Sequence, residues 1–188
     1  MVPETVKRCI VASINETSTS TSRMSPSLKW GIDNEHVAHE MCKSKSGEEV
    51  ADCGLIINPS WPLLACSPNS IVYGEANPIG AIEIKCPFSN IEMTIEECCK
   101  DSSFYLKKNS DGVITLKQSH VCYYQCQGAL NITGLDWIDF VVYSKKDLFL
   151  CSAYPLLPHL ACITHNNSIL KALLQRGYTN RDHFERIH

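Results

Sequence analysis

The sequence predicts an α/β fold in which a central mixed β-sheet is flanked by helices. Apolar residues make up 44% of the 188 positions, which is enough for the core of one domain. Segments with helical spacing alternate with short apolar runs that end at Gly or Pro. The resulting order of helix, three or four strands, helix and strand is typical of a layered α/β protein.

Residues 1–27 form the first predicted segment. Apolar residues at helical spacing predict a short amphipathic helix over residues 2–14. Eight of the thirteen residues from 15 to 27 are Ser or Thr, which predicts a flexible linker. The first 25 residues are too charged for a signal peptide, and no apolar run reaches the length of a membrane span. We therefore expect no membrane partner.

The next elements are predicted from helix-start and turn residues and from the spacing of apolar residues. Ser25-Pro26 predicts the start of a helix in which Leu28 and Ile32 face inward. Four apolar runs (VADCGLII, LLAC, SIVY and AIEIK) follow and predict an antiparallel meander. The turn signal at residues 109–112 predicts a hairpin. A helix over residues 118–132 and the strand DWIDFVVYS complete the predicted domain.

Residues 148–188 fit no clean period and are predicted to be a divergent C-terminal tail. Pro155 and Pro158 argue against a regular central strand there. We therefore expect residues 148–182 to pack loosely or to lie at the edge of the sheet.

The eleven cysteines form no CxxC pair, and their number is odd. This pattern predicts mostly buried, reduced thiols in an intracellular protein, either nuclear or cytoplasmic. His36, His39 and Cys42 recur every three residues on one predicted helix. A zinc site and ordinary packing are both compatible with that spacing, although no fourth ligand is evident.

Glu83 and Lys85 lie two apart in AIEIK and therefore share one face of a predicted strand. Two interpretations follow from the residues alone. The pair belongs either to the solvated face of an edge strand, or to a metal site. In a metal site the carboxylate would hold a hard divalent cation, and the lysine would position or deprotonate the attacking water.

Four motifs in order carry a resemblance to a known family. Ser67-Pro68-Asn69, followed by the motif Glu83-Ile84-Lys85-Cys86-Pro87, resembles the Ser-Pro-Asp and Glu-x-Lys-Cys-Pro signature of YqaJ-like viral recombinases. These proteins group with phage lambda exonuclease in the PD-(D/E)xK nuclease superfamily. WGIDNE resembles the helix motif of the family, and HVCYYQCQGALNITGLDWIDFVVYS resembles a block of its eukaryotic members.

The resemblance implies a restriction-endonuclease-like core and a nuclease domain over residues 28–147. It also implies a set of site residues. The catalytic set is Glu35, Glu83, Lys85 and Gln125. The metal ligands are Asn69, Glu83 and the backbone carbonyl of Ile84. The implied cofactor is Mg²⁺ or Mn²⁺, and the implied partner is DNA, at duplex ends. An oligomer is compatible with the family but is not assumed.

Asn69 departs from the family, which has a metal-binding aspartate at that position. An amide keeps the shape and one carbonyl oxygen of aspartate but carries no charge. Since Mg²⁺ is usually held by one or two carboxylates and waters, a natural asparagine predicts weakened or absent metal binding. Asn69 is either natural or engineered, and the residues leave both origins open.

Three functions remain compatible with the sequence. The first is a metal-dependent DNA exonuclease domain of recombination and end processing, impaired by Asn69. The second is a catalytically inactive DNA-binding module, and the third is an interaction remnant of a mobile element. Candidate DNA-facing side chains are Lys107, Lys108, Lys117, Lys145 and Lys146.

Overall fold

The computed structural model describes residues 10–12, 24–75 and 77–156. In chain order, its elements are β1 (Ile10–Ala12), α1 (Pro26–Ser46), β2 (Glu49–Asp52), β3 (Leu55–Ile57), β4 (Ala65–Cys66), β5 (Ser70–Gly74), β6 (Asn77–Lys85), a 3₁₀ turn (Phe88–Asn90), α2 (Ile95–Cys98), β7 (Leu106–Lys108), β8 (Ile114–Leu116), α3 (Val121–Thr133), β9 (Trp137–Tyr143) and β10 (Leu148–Ala153). Within these ranges no helix is both long and apolar enough to cross a membrane.

A five-stranded sheet with the order β10-β9-β6-β5-β2 forms the centre of the fold. β6 and β9 run parallel, and the other neighbours run antiparallel, so the sheet is mixed as predicted. α1 packs on one face, where Ala38 and Cys42 contact a cluster that includes Ile84. α3 packs on the opposite face through residues such as Cys126 and Leu130. The architecture is therefore helix, sheet and helix in three layers.

The start of α1 is confirmed, but its inward face was predicted wrongly. The Ser25 hydroxyl accepts a hydrogen bond from the Leu28 backbone N–H at 3.2 Å, as an N-cap does. Leu28 and Ile32 are 55% and 52% exposed, whereas Ala38 and Cys42 are buried. The small side chains lie on a different face of α1, and it is that face that contacts the sheet.

Residues Ile10–Ala12 form a strand, so the predicted helix over residues 2–14 is wrong at these three positions. β1 pairs antiparallel with β3, with Ile10 opposite Ile57. The apolar spacing of this short segment is compatible with either structure, and the free edge of β3 decides in favour of a strand. The remainder of that predicted helix and the Ser/Thr-rich segment before residue 24 lie outside the described residues.

The predicted hairpin around residues 109–112 is confirmed, with β7 paired to β8. The Asn109 side-chain oxygen accepts hydrogen bonds from the backbone N–H groups of Asp111 and Val113. Gly112 has a φ of 83°, a value that favours glycine. The turn is therefore closed by the two residue types that predicted it.

The strand β10 lies beyond the predicted domain end at residue 147. It pairs with β9 over its whole length, from Leu148 opposite Tyr143 to Ala153 opposite Ile138. It lies at the sheet edge, which was one of the two predicted placements, but Cys151 and Ala153 are buried rather than loosely packed. The sheet therefore extends past the predicted domain end, and residues 157–188 lie outside the described ranges.

Gly80 permits close packing of the Trp137 ring on β6. A Cβ atom at Gly80 would lie 2.3 Å from the Cε2 atom of Trp137. We expect Gly80→Ala to lower the free energy of unfolding by about 2 kcal/mol, because the ring must move in a packed layer. Urea denaturation measures the change. Gly128→Ala is the control, since a Cβ there meets no atom within 4 Å. In a helix interior that substitution should stabilise by up to about 1 kcal/mol.

Asp139 is a buried carboxyl group on β9. It is 6% exposed, and the Ser152 hydroxyl donates a hydrogen bond of 2.6 Å to its Oδ1. Burial raises the pKa of Asp139 from 3.8 to about 6, although the bond from Ser152 acts in the opposite direction. The native state therefore keeps a proton that the unfolded chain releases between about pH 4 and pH 6.

This difference predicts a loss of stability as the pH rises from about 4 to about 6. The unfolded state binds fewer protons in that window, so the Asp139 contribution should fall by roughly 3 kcal/mol across it. Asp139→Asn should remove this slope and raise the free energy of unfolding at pH 7. Denaturant titrations at pH 4 and pH 7 measure the effect, with exposed Asp111→Asn as the control. An unchanged slope in Asp139→Asn would contradict the assignment.

Candidate active site

The three layers bring all the predicted site residues to one end of β6. Asn69 lies between β4 and β5, and Glu83, Ile84 and Lys85 are the last three residues of β6. Glu35 comes from α1 on one side of the sheet, and Gln125 comes from α3 on the other side. The side chains form two hydrogen-bonded groups that meet at the end of this strand.

The first group joins Glu35, Asn69 and the backbone of Ile84. The Asn69 Nδ2 donates to the Glu35 Oε2 at 3.2 Å, and the Asn69 Oδ1 accepts the Ile84 N–H at 2.8 Å. The backbone N–H requires an acceptor and the carboxylate requires a donor, so the network determines the orientation of the amide. Asn69 is thus a neutral bridge between α1 and β6.

The second group surrounds the Glu83 carboxylate, which is 4% exposed. Lys85 Nζ donates to Glu83 Oε1 at 2.6 Å, and Gln125 Nε2 donates to the same oxygen at 2.7 Å. The lysine side chain is 31% exposed, so the pair lies at the boundary between the core and solvent. This geometry excludes the interpretation of the pair as a solvated face of an edge strand.

The charges of the two groups affect each other. Partial burial raises the pKa of Glu35; the Lys85 ammonium opposes this rise and the Glu83 carboxylate adds to it. Burial by itself would lower the pKa of Lys85, but the attraction and hydrogen bond of Glu83 outweigh burial and leave that pKa above its ordinary value. Lys85 is therefore a charged hydrogen-bond donor at neutral pH.

Neighbouring thiols do not add charge to the site. Burial and the Glu35 carboxylate raise the pKa of Cys86 to about 12, although Lys85 acts in the opposite direction. The nine cysteines in the part of the chain that the structure covers are all free. Because a metal is bound by the thiolate form, Cys86 is a poor ligand at neutral pH.

The zinc interpretation of His36, His39 and Cys42 finds no support. Cys42 is buried in the core, and His39 Nδ1 lies 3.7 Å from Asp52 on β2. Across residues 24–75 and 77–156, no group of three or more His, Cys, Asp or Glu side chains is arranged to hold a metal. The alternative of ordinary packing accounts for Cys42.

Two further residues of the motif HVCYYQCQ and three of the candidate DNA-facing lysines are engaged within the protein. Tyr123 is buried in the core, and Gln127 bonds the backbone of Tyr154 and Leu156 at 2.9 Å and 3.1 Å. Three candidate DNA-facing lysines are engaged within the chain. Lys108 pairs with Glu96, Lys145 pairs with Glu92, and Lys117 donates to the Ser102 carbonyl.

The donor set of the site fits a hard divalent cation. Glu35 and Glu83 supply two carboxylates, and the amide of Asn69 and the carbonyl of Ile84 supply neutral oxygens. Mg²⁺ is commonly held by one or two carboxylates together with waters. The set is less anionic than one with aspartate at position 69, which predicts weaker binding. Sequence reasoning missed the cleft next to this site, because no motif marks it.

The central mixed sheet between α1 and α3 gives the chain a restriction-endonuclease-like fold. The family model of the YqaJ-like viral recombinase domain matches residues 4–136, and the chain belongs to that family. Among the curated proteins, no significant match is found.

Two solved structures have a fold similar to that of this chain. An alkaline exonuclease, LHK-Exo from Laribacter hongkongensis, matches with 22% identity and a TM-score of 0.51, covering 82% of this chain and 66% of that one. LHK-Exo in complex with dAMP matches with 21% identity and a TM-score of 0.52, at the same coverage. The chain thus spans 66% of the length of that exonuclease. At this identity, the likeness shows the fold.

Because Lys85 pairs with the buried Glu83, removing the lysine alone should lower the free energy of unfolding. Lys85→Met leaves a buried carboxylate with Gln125 as its remaining partner at Oε1, so we expect a loss of about 2 kcal/mol in unfolding free energy at pH 7. The double variant Glu83→Gln/Lys85→Met should recover most of it, because no buried charge is left. A double variant whose free energy of unfolding falls by the sum of the two single-variant losses would contradict this expectation. Thermal and urea unfolding of the unmodified chain, the two single variants and the double variant measure these free energies.

Proposed function

We propose that the chain is a DNA-processing nuclease domain that hydrolyses phosphodiester bonds at duplex ends, with Mg²⁺ or Mn²⁺ as its cofactor. The single observation that carries this proposal is the convergence of Glu35, Asn69, Glu83, Lys85 and Gln125 at the end of β6. Membership of the recombinase family supports a DNA substrate. The dAMP complex of LHK-Exo supports a nucleotide ligand.

In this proposal each residue has a distinct role. Glu35 and Glu83 hold the cation, together with the oxygens of Asn69 and Ile84. The cation supplies charge stabilisation and lowers the pKa of bound water when it is present. Since the pKa of Lys85 lies above its ordinary value, the lysine acts as a charged donor that positions the attacking water and the phosphate rather than as a base. Gln125 orients the Glu83 carboxylate.

A second function, DNA binding without cleavage, is favoured by the bond from Asn69 Nδ2 to Glu35. This bond satisfies the Glu35 carboxylate without a cation, so the site is stable with no metal bound. An aspartate at the same position would place two carboxylates side by side and would need a cation between them. The two functions therefore differ in how much cation binding Asn69 permits.

Asn69→Asp tests this difference. The variant keeps an acceptor for the Ile84 N–H but adds a negative charge beside Glu35. Without metal we expect a lower melting temperature, and with Mg²⁺ or Ca²⁺ we expect a larger stabilisation than in the unmodified chain. Divalent-cation affinity and Mg²⁺-dependent cleavage of linear duplex DNA should rise at least about tenfold, equivalent to about 1.4 kcal/mol.

Two controls make the test specific. Glu83→Gln in the Asn69→Asp background should abolish the gain in cleavage, because both carboxylates serve one cation. Glu35→Gln in that background should restore stability without metal, because an amide again faces a carboxylate. Absence of Mg²⁺- or Mn²⁺-dependent cleavage in both the unmodified chain and Asn69→Asp would overturn the nuclease proposal and leave DNA binding. Absence of salt-dependent DNA binding would overturn both.

A further inference from the structure

His120 is a residue of the motif HVCYYQCQ that the proposed function leaves without a role. It is the N-cap of α3, and its backbone is extended, with φ −88° and ψ 148°. Its Nδ1 accepts a hydrogen bond from the backbone N–H of Cys122 at 3.2 Å, and its carbonyl oxygen accepts the N–H of Tyr123 at 3.0 Å. One residue therefore satisfies two of the backbone donors at the start of the helix.

The bond from Cys122 determines the protonation state of the His120 ring. A backbone N–H group only donates, so Nδ1 offers a lone pair and the ring proton lies on Nε2. An imidazolium has a proton on both nitrogens and would lose this bond. The first turn of α3 contains no acidic residue that would stabilise an imidazolium at the positive end of the helix. His120 therefore caps α3 only in its neutral form.

The groups around His120 favour the neutral ring. The Tyr105 ring, directly before β7, contacts the His120 ring with its centroid 5.7 Å away and also contacts the buried Phe140. The carbonyl oxygen of Lys117 accepts the His120 N–H at 3.0 Å. Burial and then the charge of Lys117 lower the pKa of His120 from its ordinary 6.5. Burial raises the pKa of Tyr105 and of the Cys122 thiol, so both of these groups stay neutral.

The start of α3 also positions Gln125 at the candidate site. Gln125 is the fifth residue of this helix, and α-helical geometry pairs its backbone N–H with the carbonyl of Val121, the first residue. Its Nε2 donates to Glu83 Oε1 at 2.7 Å. A displacement of Gln125 by about 1 Å would lengthen this bond beyond the range of a hydrogen bond. Loss of the cap at His120 thus acts on Glu83 through Gln125.

We propose that His120 is a positioning residue that holds Gln125 on Glu83 only while its ring is neutral, so that the site is fully assembled at neutral and alkaline pH and loosens in acid. This inference rests on the proposed function and concerns the regulation of the same site. As the pH falls through the folded-state pKa of His120, Nδ1 gains a proton and the bond from Cys122 is lost. The capping contribution is therefore complete above about pH 6.5 and is lost as the pH falls through that lower pKa.

Nuclear magnetic resonance of the metal-free chain tests the positioning directly. The side-chain amide signal of Gln125, assigned by its loss in Gln125→Met, should shift with pH along the same curve as the His120 ring signal. His120→Asn should abolish this shift, because an amide oxygen caps a helix and does not titrate near neutral pH. His120→Ala should speed hydrogen exchange of the Gln125 and Cys126 backbone amides about fivefold at about pH 7, the usual effect of losing an N-cap. The matched control is Val121→Ala, since Val121 is 70% exposed at the first position of α3.

Cleavage of linear duplex DNA tests the consequence for the proposed reaction, in whichever of the unmodified and Asn69→Asp backgrounds is more active. The pH range runs from about 7.5 to about one unit below the His120 midpoint. Over this range the chain with His120 should lose about fivefold more activity than His120→Asn, and His120→Ala should be impaired throughout. The raised pKa of Glu35 adds a loss in acid that all variants share. Circular dichroism of each variant confirms that it folds.

Two results would overturn this inference. One is a Gln125 signal that does not follow the His120 titration, and the other is the same pH profile of cleavage in the chain with His120 and in His120→Asn. Absence of cleavage in every variant would overturn the proposed function instead. The resonance measurements need neither metal nor DNA, so they decide the positioning of Gln125 independently of that result.

Discussion

The parallel pairing of β6 with β9 is the constraint on which the rest of the fold depends. Two parallel neighbours cannot be joined by a hairpin, so the chain between them must cross one face of the sheet. That crossover carries α3, and it brings Gln125 over Glu83. Because α1 covers the opposite face, the end of β6 receives side chains from both layers. The site is thus a consequence of the topology of the sheet.

Charge balance at this site explains how a nearly buried Glu83 is tolerated. Lys85 and Gln125 both donate to one of its oxygens, which offsets the cost of removing the carboxylate from water. Asn69 does the same for Glu35 with an amide and at the same time bonds the backbone of β6. The site is therefore stable as a network of the chain's own side chains. The same amide reduces the negative charge available to a cation.

The sheet face toward α1 contains two polar features. Asp139 lies within the core and is partnered by Ser152 of the edge strand, while Ser70 and His39 line a cleft that opens beside the site. Both features arise where α1 meets the sheet through small side chains. Ala38 and Cys42 are buried against the sheet, whereas the larger Leu28 and Ile32 of the same helix are exposed. The packing of one helix thus determines both the buried core and the cleft.

The sequence by itself determined several local structures and supplied the candidate site residues. Ser25-Pro26, the hairpin at Asn109 to Gly112 and the motif residues from Glu35 to Gln125 depend on chemistry that is local or carried by short motifs. Tertiary structure decided what depends on distant partners. Ile10–Ala12 form a strand because they pair with the edge of β3, and Leu148–Ala153 belong to the sheet because they pair with β9. The inward face of α1 likewise follows from packing between elements, which no periodicity within one segment encodes.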